Sequence, residues 1–148
     1  MTSKIETLLR VDGKRALVTG ASSGFGAHFA QLLSAAGAEV ILAARRTDKL
    51  QALREDIERA GGKASVVALD VSSKASVAAC FEQIGACDIV IKNAGITVTR
   101  GLLEQTEADW DSVIDTNLKG CFLVATEAAR RLRDAQRPGS IVNIASIL

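Results

Sequence analysis

With 148 residues, 48% of them hydrophobic and 24% charged, the chain suits one domain with a sizeable core and excludes a disordered polypeptide. Its 18 basic and 17 acidic residues leave a net charge of +1, which argues against a nucleic-acid footprint and against an anionic membrane partner. No stretch approaches the ~20 apolar residues of a membrane span, and the N-terminus has no apolar run of signal-peptide length, so the expected compartment is the cytoplasm. Cys80, Cys87 and Cys121 form no C-x-x-C pair and His28 is the only histidine. Free, mostly buried thiols are expected, and a metal site is not.

Short apolar runs alternate with helical patterns. RALVT at 15–19 is followed by a glycine cluster and a helical stripe of Phe29, Leu32, Leu33 and Ala36 that ends at Gly37. EVILAA at 39–44 precedes a stripe of Leu50, Leu53 and Ile57, stopped by Gly61 and Gly62. ASVVAL at 64–69 leads to a helix opened by Ser72 or Ser73, carrying Val77, Phe81 and Ile84 and closed near Gly85. DIVI at 88–91 leads to the longest irregular stretch, 95–105. Thr106 and Asp109 then have capping-box spacing. They open one long helix with apolar residues at Trp110, Val113, Ile114, Leu118, Cys121, Ala125, Ala128 and Leu132, closing before Pro138 and Gly139. SIVNI at 140–144 is the fifth run.

These runs are rich in Val, Ile and Leu and lack polar alternation, the pattern of strands buried on both faces of a parallel sheet. The β-α-β order with right-handed crossovers predicts an α/β, Rossmann-type doubly wound parallel sheet in three αβα layers. A strand order of 3-2-1-4-5 places a ligand crevice between strands 1 and 4, at their carboxyl ends.

Strand 1 runs into TGASSGFG, 19–26. The spacing departs from G-x-G-x-x-G, but the physical demands are the same. Gly20 permits a tight turn, Gly24 lets backbone approach a pyrophosphate, and Gly26 lets the helix pack closely. The helix N-terminus and the hydroxyls of Ser22 and Ser23 offer donors to phosphate. A glycine cluster also serves plain turns; its place between the first strand and a helix favours the nucleotide. No Gly-Lys-Ser/Thr follows, which excludes a P-loop. Strand 2 ends in Arg45 and Arg46, where an acid would hold a ribose 2′-hydroxyl; Asp48 belongs to the next helix. Guanidinium groups there favour a 2′-phosphate, so NADP(H) is predicted over NAD(H). The bland alternative is a solvated helix start. The missing acid also counts against a methyltransferase that binds S-adenosylmethionine.

Five segments in order resemble the short-chain dehydrogenase/reductase family, classical type, over nearly the whole chain. TGASSGFG is similar to its TGxxxGxG loop, LDVS (69–72) to the segment after strand 3, and KNAG (92–95) to NNAG after strand 4. NLKG (117–120) and IVNIAS (141–146) are similar to the segments of its helix asparagine and catalytic serine. The resemblance implies cofactor contacts at Gly20, Ser22, Ser23, Gly24, Phe25, Gly26, Arg45 and Arg46. It implies that Asp70, next to Val71, meets the adenine amino group and that Asn93, Ala94 and Gly95 lie along the ribose. It makes Asn117 part of a proton relay through a water near the active-site lysine, and Ser146 the hydroxyl that orients a substrate carbonyl. Local readings stand beside these: a helix N-cap for Asp70, a locally satisfied core amide for Asn117, and a turn or cap for Ser146.

Two departures accompany the resemblance. Lys92 stands at the first asparagine of NNAG, where a buried ammonium without a partner is costly; it reaches cofactor phosphate, or it weakens binding or the sheet. The family's Tyr-x-x-x-Lys pair follows the serine, and this chain has no tyrosine. The implied reaction is hydride transfer between a nicotinamide and a small-molecule carbonyl or alcohol, with that tyrosine as proton donor. Residues 1–148 are therefore expected to form one dinucleotide-binding domain, incomplete at its C-terminus and catalytically deficient alone. Assembly into a homo-oligomer, dimer or tetramer, is implied by the family. The competing class is a non-catalytic nucleotide-binding module, a sensor or a subunit completed by another chain.

Overall fold

A computed structural model of the chain describes residues 8–146. Strands β1 (Arg15–Thr19), β2 (Glu39–Ala44), β3 (Lys63–Ala68), β4 (Ile89–Lys92) and β5 (Ser140–Asn143) form one parallel sheet in the order β3-β2-β1-β4-β5. Helices α1 (Gly24–Ala35), α2 (Thr47–Arg59), α3 (Lys74–Ile84), α4 (Glu107–Ile114) and α5 (Gly120–Asp134) connect them. This is the predicted doubly wound αβα sheet. Among the described residues no helix is long and apolar enough to cross a membrane.

The period of two along each strand divides the core into two layers. Leu17, Ile41 and Val90 face α3 and α5, packing with Phe81, Cys80, Val124 and Ala128. Ala16, Val18, Val40 and Leu42 face α1 and α2, packing with Ala30, Leu50, Leu53 and Ile57. Phe81, Leu17 and Leu42 are fully buried. Burying one such side chain is worth about 1.5–3 kcal/mol.

At the amino edge, Asp88 ties three strands. Its carboxylate accepts from the Arg15 backbone N–H at 2.9 Å and from the Arg137 guanidinium at 2.6 Å, and its carbonyl accepts from the Ser140 N–H at 2.8 Å. At the carboxyl edge, Val18 is in register with Leu42 and Ile91. The chain therefore leaves β1, β2 and β4 at one level, and that level carries the site.

Several expectations are corrected. Only β1, β2 and β4 are buried throughout most of their length. The edge strand β3 alternates between partly and fully exposed residues, with Val67 its one buried position, and β5 is exposed along its whole length. Strand position in the sheet, not apolar composition, decides this. Leu32, read as core, is 53% exposed because α1 turns Gly26 and Ala30 to the sheet. The cap of α3 is Ser73, one of the two expected openers, whose hydroxyl accepts from the Ser76 N–H at 3.2 Å, so the local reading of Asp70 as the cap does not hold.

The long fourth helix is also interrupted. The capping box at Thr106 and Asp109 forms as predicted, but α4 gives way to a π-helical segment, Asp115–Lys119, before α5 resumes. The Gly120 N–H donates to the Asp115 carbonyl, five residues back. One extra residue in a helix turns everything after it by ~100°. The predicted stripe holds in part: Ala128 and Leu132 are buried, with Val124 beside them on α5, whereas Trp110, before the π segment, and Leu118, within it, are exposed.

Candidate functional site

The site begins where β1 and β4 end. Thr19, 1% exposed, accepts at its hydroxyl from the backbone N–H groups of Asn93 and Ala94, both at 3.1 Å. The Asn93 carboxamide answers by donating to the carbonyls of Thr19 and Gly20 at 3.2 and 3.4 Å. The loop after β1 is thereby laced to the segment after β4. Glycine is required at two points. A Cβ at Gly20 would lie 2.8 Å from the Ala94 Cα, and one at Gly26 would lie 2.3 Å from the Gly20 carbonyl oxygen. Both contacts are with backbone, which cannot step aside.

A cleft of about 430 Å³ opens over this junction. Gly20, Ser22 and Ser23 line one side, and Asn93, Ala94 and Gly95 the opposite side. Arg45 and Arg46 stand at one end, with Asp70 and Val71 beside them. Of the residues predicted to hold a cofactor, Gly24, Phe25 and Gly26 do not line it. Gly26 lies beneath, against Gly20. Phe25 is 72% exposed and stacks on Phe29 at 6.1 Å between ring centroids. Gly24 takes a φ of +58° at the start of α1, with open space where its side chain would be.

The charged end is ordered. The Arg46 guanidinium donates to the hydroxyls of Ser22 and Ser23 at 3.0 and 3.2 Å. Asp70 folds into a tight turn of its own: one carboxylate oxygen accepts from the Ser72 hydroxyl at 2.7 Å and the Ser72 N–H at 3.0 Å. The Ser72 hydroxyl bond holds the Asp70 carboxyl below its ordinary pKa in spite of partial burial, helped by the Ser72 N–H and the charge of Arg45. At neutral pH it is an anion that can only accept.

Asn117 lies within the π segment, a helix defect that recurs at functional sites. It is exposed, not buried as read from its stripe. Its Oδ1 accepts from the Ile96 N–H at 2.9 Å and its Nδ2 donates to the Ile96 carbonyl at 2.8 Å. A carboxamide has four hydrogen-bonding positions, and Ile96 occupies two. Ser146 is exposed three residues past β5. Because Asn143 is in register with Lys92, Ser146 leaves the sheet on the same edge as Gly95. Lys92 does not reach the cleft: its Nζ donates to the Cys121 carbonyl at 2.7 Å.

The arrangement fits a dinucleotide. The N-cap of α1, Ser23, makes no side-chain cap hydrogen bond, so its hydroxyl does not occupy the first-turn N–H groups that a phosphate would use. No carboxylate stands at the end of β2, where Ala44 is followed by two arginines.

The sequence model described as short chain dehydrogenase matches residues 14–148. The chain belongs to the short-chain dehydrogenase family. It is 40% identical over 144 residues to gluconate 5-dehydrogenase of Gluconobacter oxydans, a match covering 95% of this chain and 56% of that one. It is 36% identical over 145 residues to 3-oxoacyl-[acyl-carrier-protein] reductase of Aquifex aeolicus, covering 95% and 58%. Among solved structures, gluconate 5-dehydrogenase of Burkholderia cenocepacia, in complex with NADP and tartrate, superimposes with a TM-score of 0.88 at 34% identity, over 96% of this chain and 57% of that one. The chain thus spans little more than half the length of these relatives.

Within this short-chain dehydrogenase fold, Ala44, Leu69, Ile96 and Thr116 also line the cleft. Sequence reading missed them because their only signal was adjacency to motif residues. Thr19 was legible merely as the first letter of the glycine motif; its role depends on β4, 72 residues later.

Proposed function

We propose that the protein is an NADP(H)-dependent oxidoreductase that transfers hydride between a nicotinamide and a small carbonyl or alcohol substrate. The observation that carries this reading is Arg46, held by the Ser22 and Ser23 hydroxyls at the end of a cleft whose second strand ends without a carboxylate. Three structural neighbours are described as NADP complexes, which supports the same cofactor here.

When bound, the nicotinamide supplies the hydride chemistry. The chain's own residues do the rest of the holding. The N-terminus of α1 and the Gly20–Gly24 turn receive the pyrophosphate. Arg46 and Arg45 pair with the 2′-phosphate, and the anionic Asp70 accepts from the adenine amino group. Asn93, Ala94 and Gly95 bring backbone close to the ribose. Ser146 orients the substrate carbonyl, and Asn117 serves the proton relay with the hydrogen-bonding positions that Ile96 does not use. A second reading is a nucleotide-binding module whose chemistry is completed elsewhere. The cytoplasm and a homo-oligomeric state remain part of the proposal, with the exposed Trp110, Leu118 and Phe122 as the surface an assembly would cover.

Fluorescence titration with NADPH and NADH tests the cofactor. NADPH should bind more tightly, and Arg46→Ala should weaken NADPH about tenfold or more, as loss of a charge-assisted hydrogen bond does, with little effect on NADH. Equal or tighter binding of NADH would overturn the assignment. Carbonyl-dependent oxidation of NADPH by these 148 residues alone would sink the second reading.

A further inference from the structure

Lys92 is the residue at which the chain leaves the NNAG pattern, and its side chain takes no part in the cleft. It is 6% exposed at the last position of β4. A lysine is rarely found so deep without a partner, because its ammonium is costly to remove from water. Here the partner is a helix backbone: Nζ donates to the Cys121 carbonyl at 2.7 Å, within the first turn of α5.

A second tie lies close by. Ile96, four residues after Lys92, exchanges two hydrogen bonds with Asn117, four residues before Cys121. Residues 92–96 and 117–121 therefore run antiparallel and are held at both ends. Asn93, Ala94 and Gly95 are stretched between the two ties, and these three residues form one wall of the cleft. Gly95 rests against the second tie, since a Cβ there would lie 3.4 Å from Asn117 Oδ1. The π segment ends at Lys119, two residues before Cys121, so the ammonium grips the first turn of helix after the defect.

We propose that Lys92 is a positioning residue: its ammonium clamps α5 to the end of β4 and, together with Asn117, sets the shape of the Asn93–Gly95 wall. The reach requires the long lysine stem. An asparagine, the residue of the NNAG pattern at this place, carries its amide two bonds nearer the backbone than a lysine carries its ammonium. The consequence for ligand binding rests on the cofactor reading above, whereas the clamp itself can be read without a ligand.

Site-resolved amide hydrogen exchange on the ligand-free chain tests the clamp. Lys92→Met keeps an unbranched buried stem and removes the donors. It should speed exchange at Ile96 by about tenfold, the lower end for a lost charge-assisted hydrogen bond, while Leu17 and Ile41 in the core keep their protection. Lys92→Asn should do the same, and both should weaken NADPH binding. Unchanged exchange at Ile96, or an equal rise at Ile96, Leu17 and Ile41, overturns the proposal; the second result would mark a residue of general stability. A measurement on the unaltered chain stands if the variants fail to fold. Reductive methylation followed by mass spectrometry should modify Lys92 well after the exposed Lys49 and Lys63, and modification at their rate would overturn the clamp. If Ile96 responds as expected but the unaltered chain binds no NADPH, the clamp stands and the cofactor reading fails.

Discussion

Gly26 shows how a single residue ties the fold to the site. It packs the start of α1 against the Gly20 carbonyl, and a Cβ would also lie 2.6 Å from the Asn93 carboxamide nitrogen. Gly26→Ala must push α1 away from β1 or displace Asn93. It should lower stability by about 1–3 kcal/mol, the usual cost of overpacking, read from urea unfolding, and weaken NADPH binding in parallel. The glycines were legible in the sequence because their constraint is local backbone geometry. The thiols were equally legible: burial pushes Cys80 up to about 12 and, with smaller contributions from nearby charges, Cys87 up to about 11. Thr19 and Lys92 were not legible. Each acts on a partner distant in the chain, and nothing near either residue names that partner.

At the scale of elements, α4 shows what local signals secure. Thr106 accepts from the Asp109 N–H at 3.2 Å, and Asp109 returns a bond to the Thr106 N–H at 3.0 Å. Thr106→Ala should speed exchange of the Asp109 amide about fivefold, the factor given by a lost cap of ~1 kcal/mol, with α1 to α3 unaffected. A capping box involves four consecutive residues, so sequence reading placed this helix start correctly. The π segment that follows carries no such mark. DTNLK contains neither proline nor an internal glycine, and its apolar spacing continued the helical stripe. The extra residue is accommodated beside ties to Ile96 and Lys92 that only the folded chain brings together. Leu118, within that segment, and Phe122, just after it, are exposed.

For the molecule as a whole, the amino edge of the sheet is one place where acid acts. Burial alone would raise the Asp88 pKa. The Arg15 N–H, the Arg137 guanidinium and the charge of Lys14 outweigh it and hold the carboxyl below its ordinary value of 3.8. A group depressed on folding stabilises the native state above its unfolded pKa and stops doing so as pH falls through its folded one. Urea midpoints should therefore drop below about pH 4. Asp88→Asn should be less stable at pH 7 and lose less on acidification; an unchanged acid profile would remove Asp88 from this role.

The sequence by itself determined the order of strands and helices, the doubly wound class and the ends of the strands at which the cleft opens. These follow from periodicity, from glycine and capping chemistry, and from motifs contained in a few neighbouring residues. Tertiary structure alone decided how far the edge strands β3 and β5 are exposed, where the fourth helix slips by a residue, and where the Lys92 ammonium goes. Those outcomes depend on contacts between residues 21 or more positions apart, such as Ile96 with Asn117, Lys92 with Cys121 and Thr19 with Asn93, and the geometry of such contacts exists only once the sheet and its helices have packed.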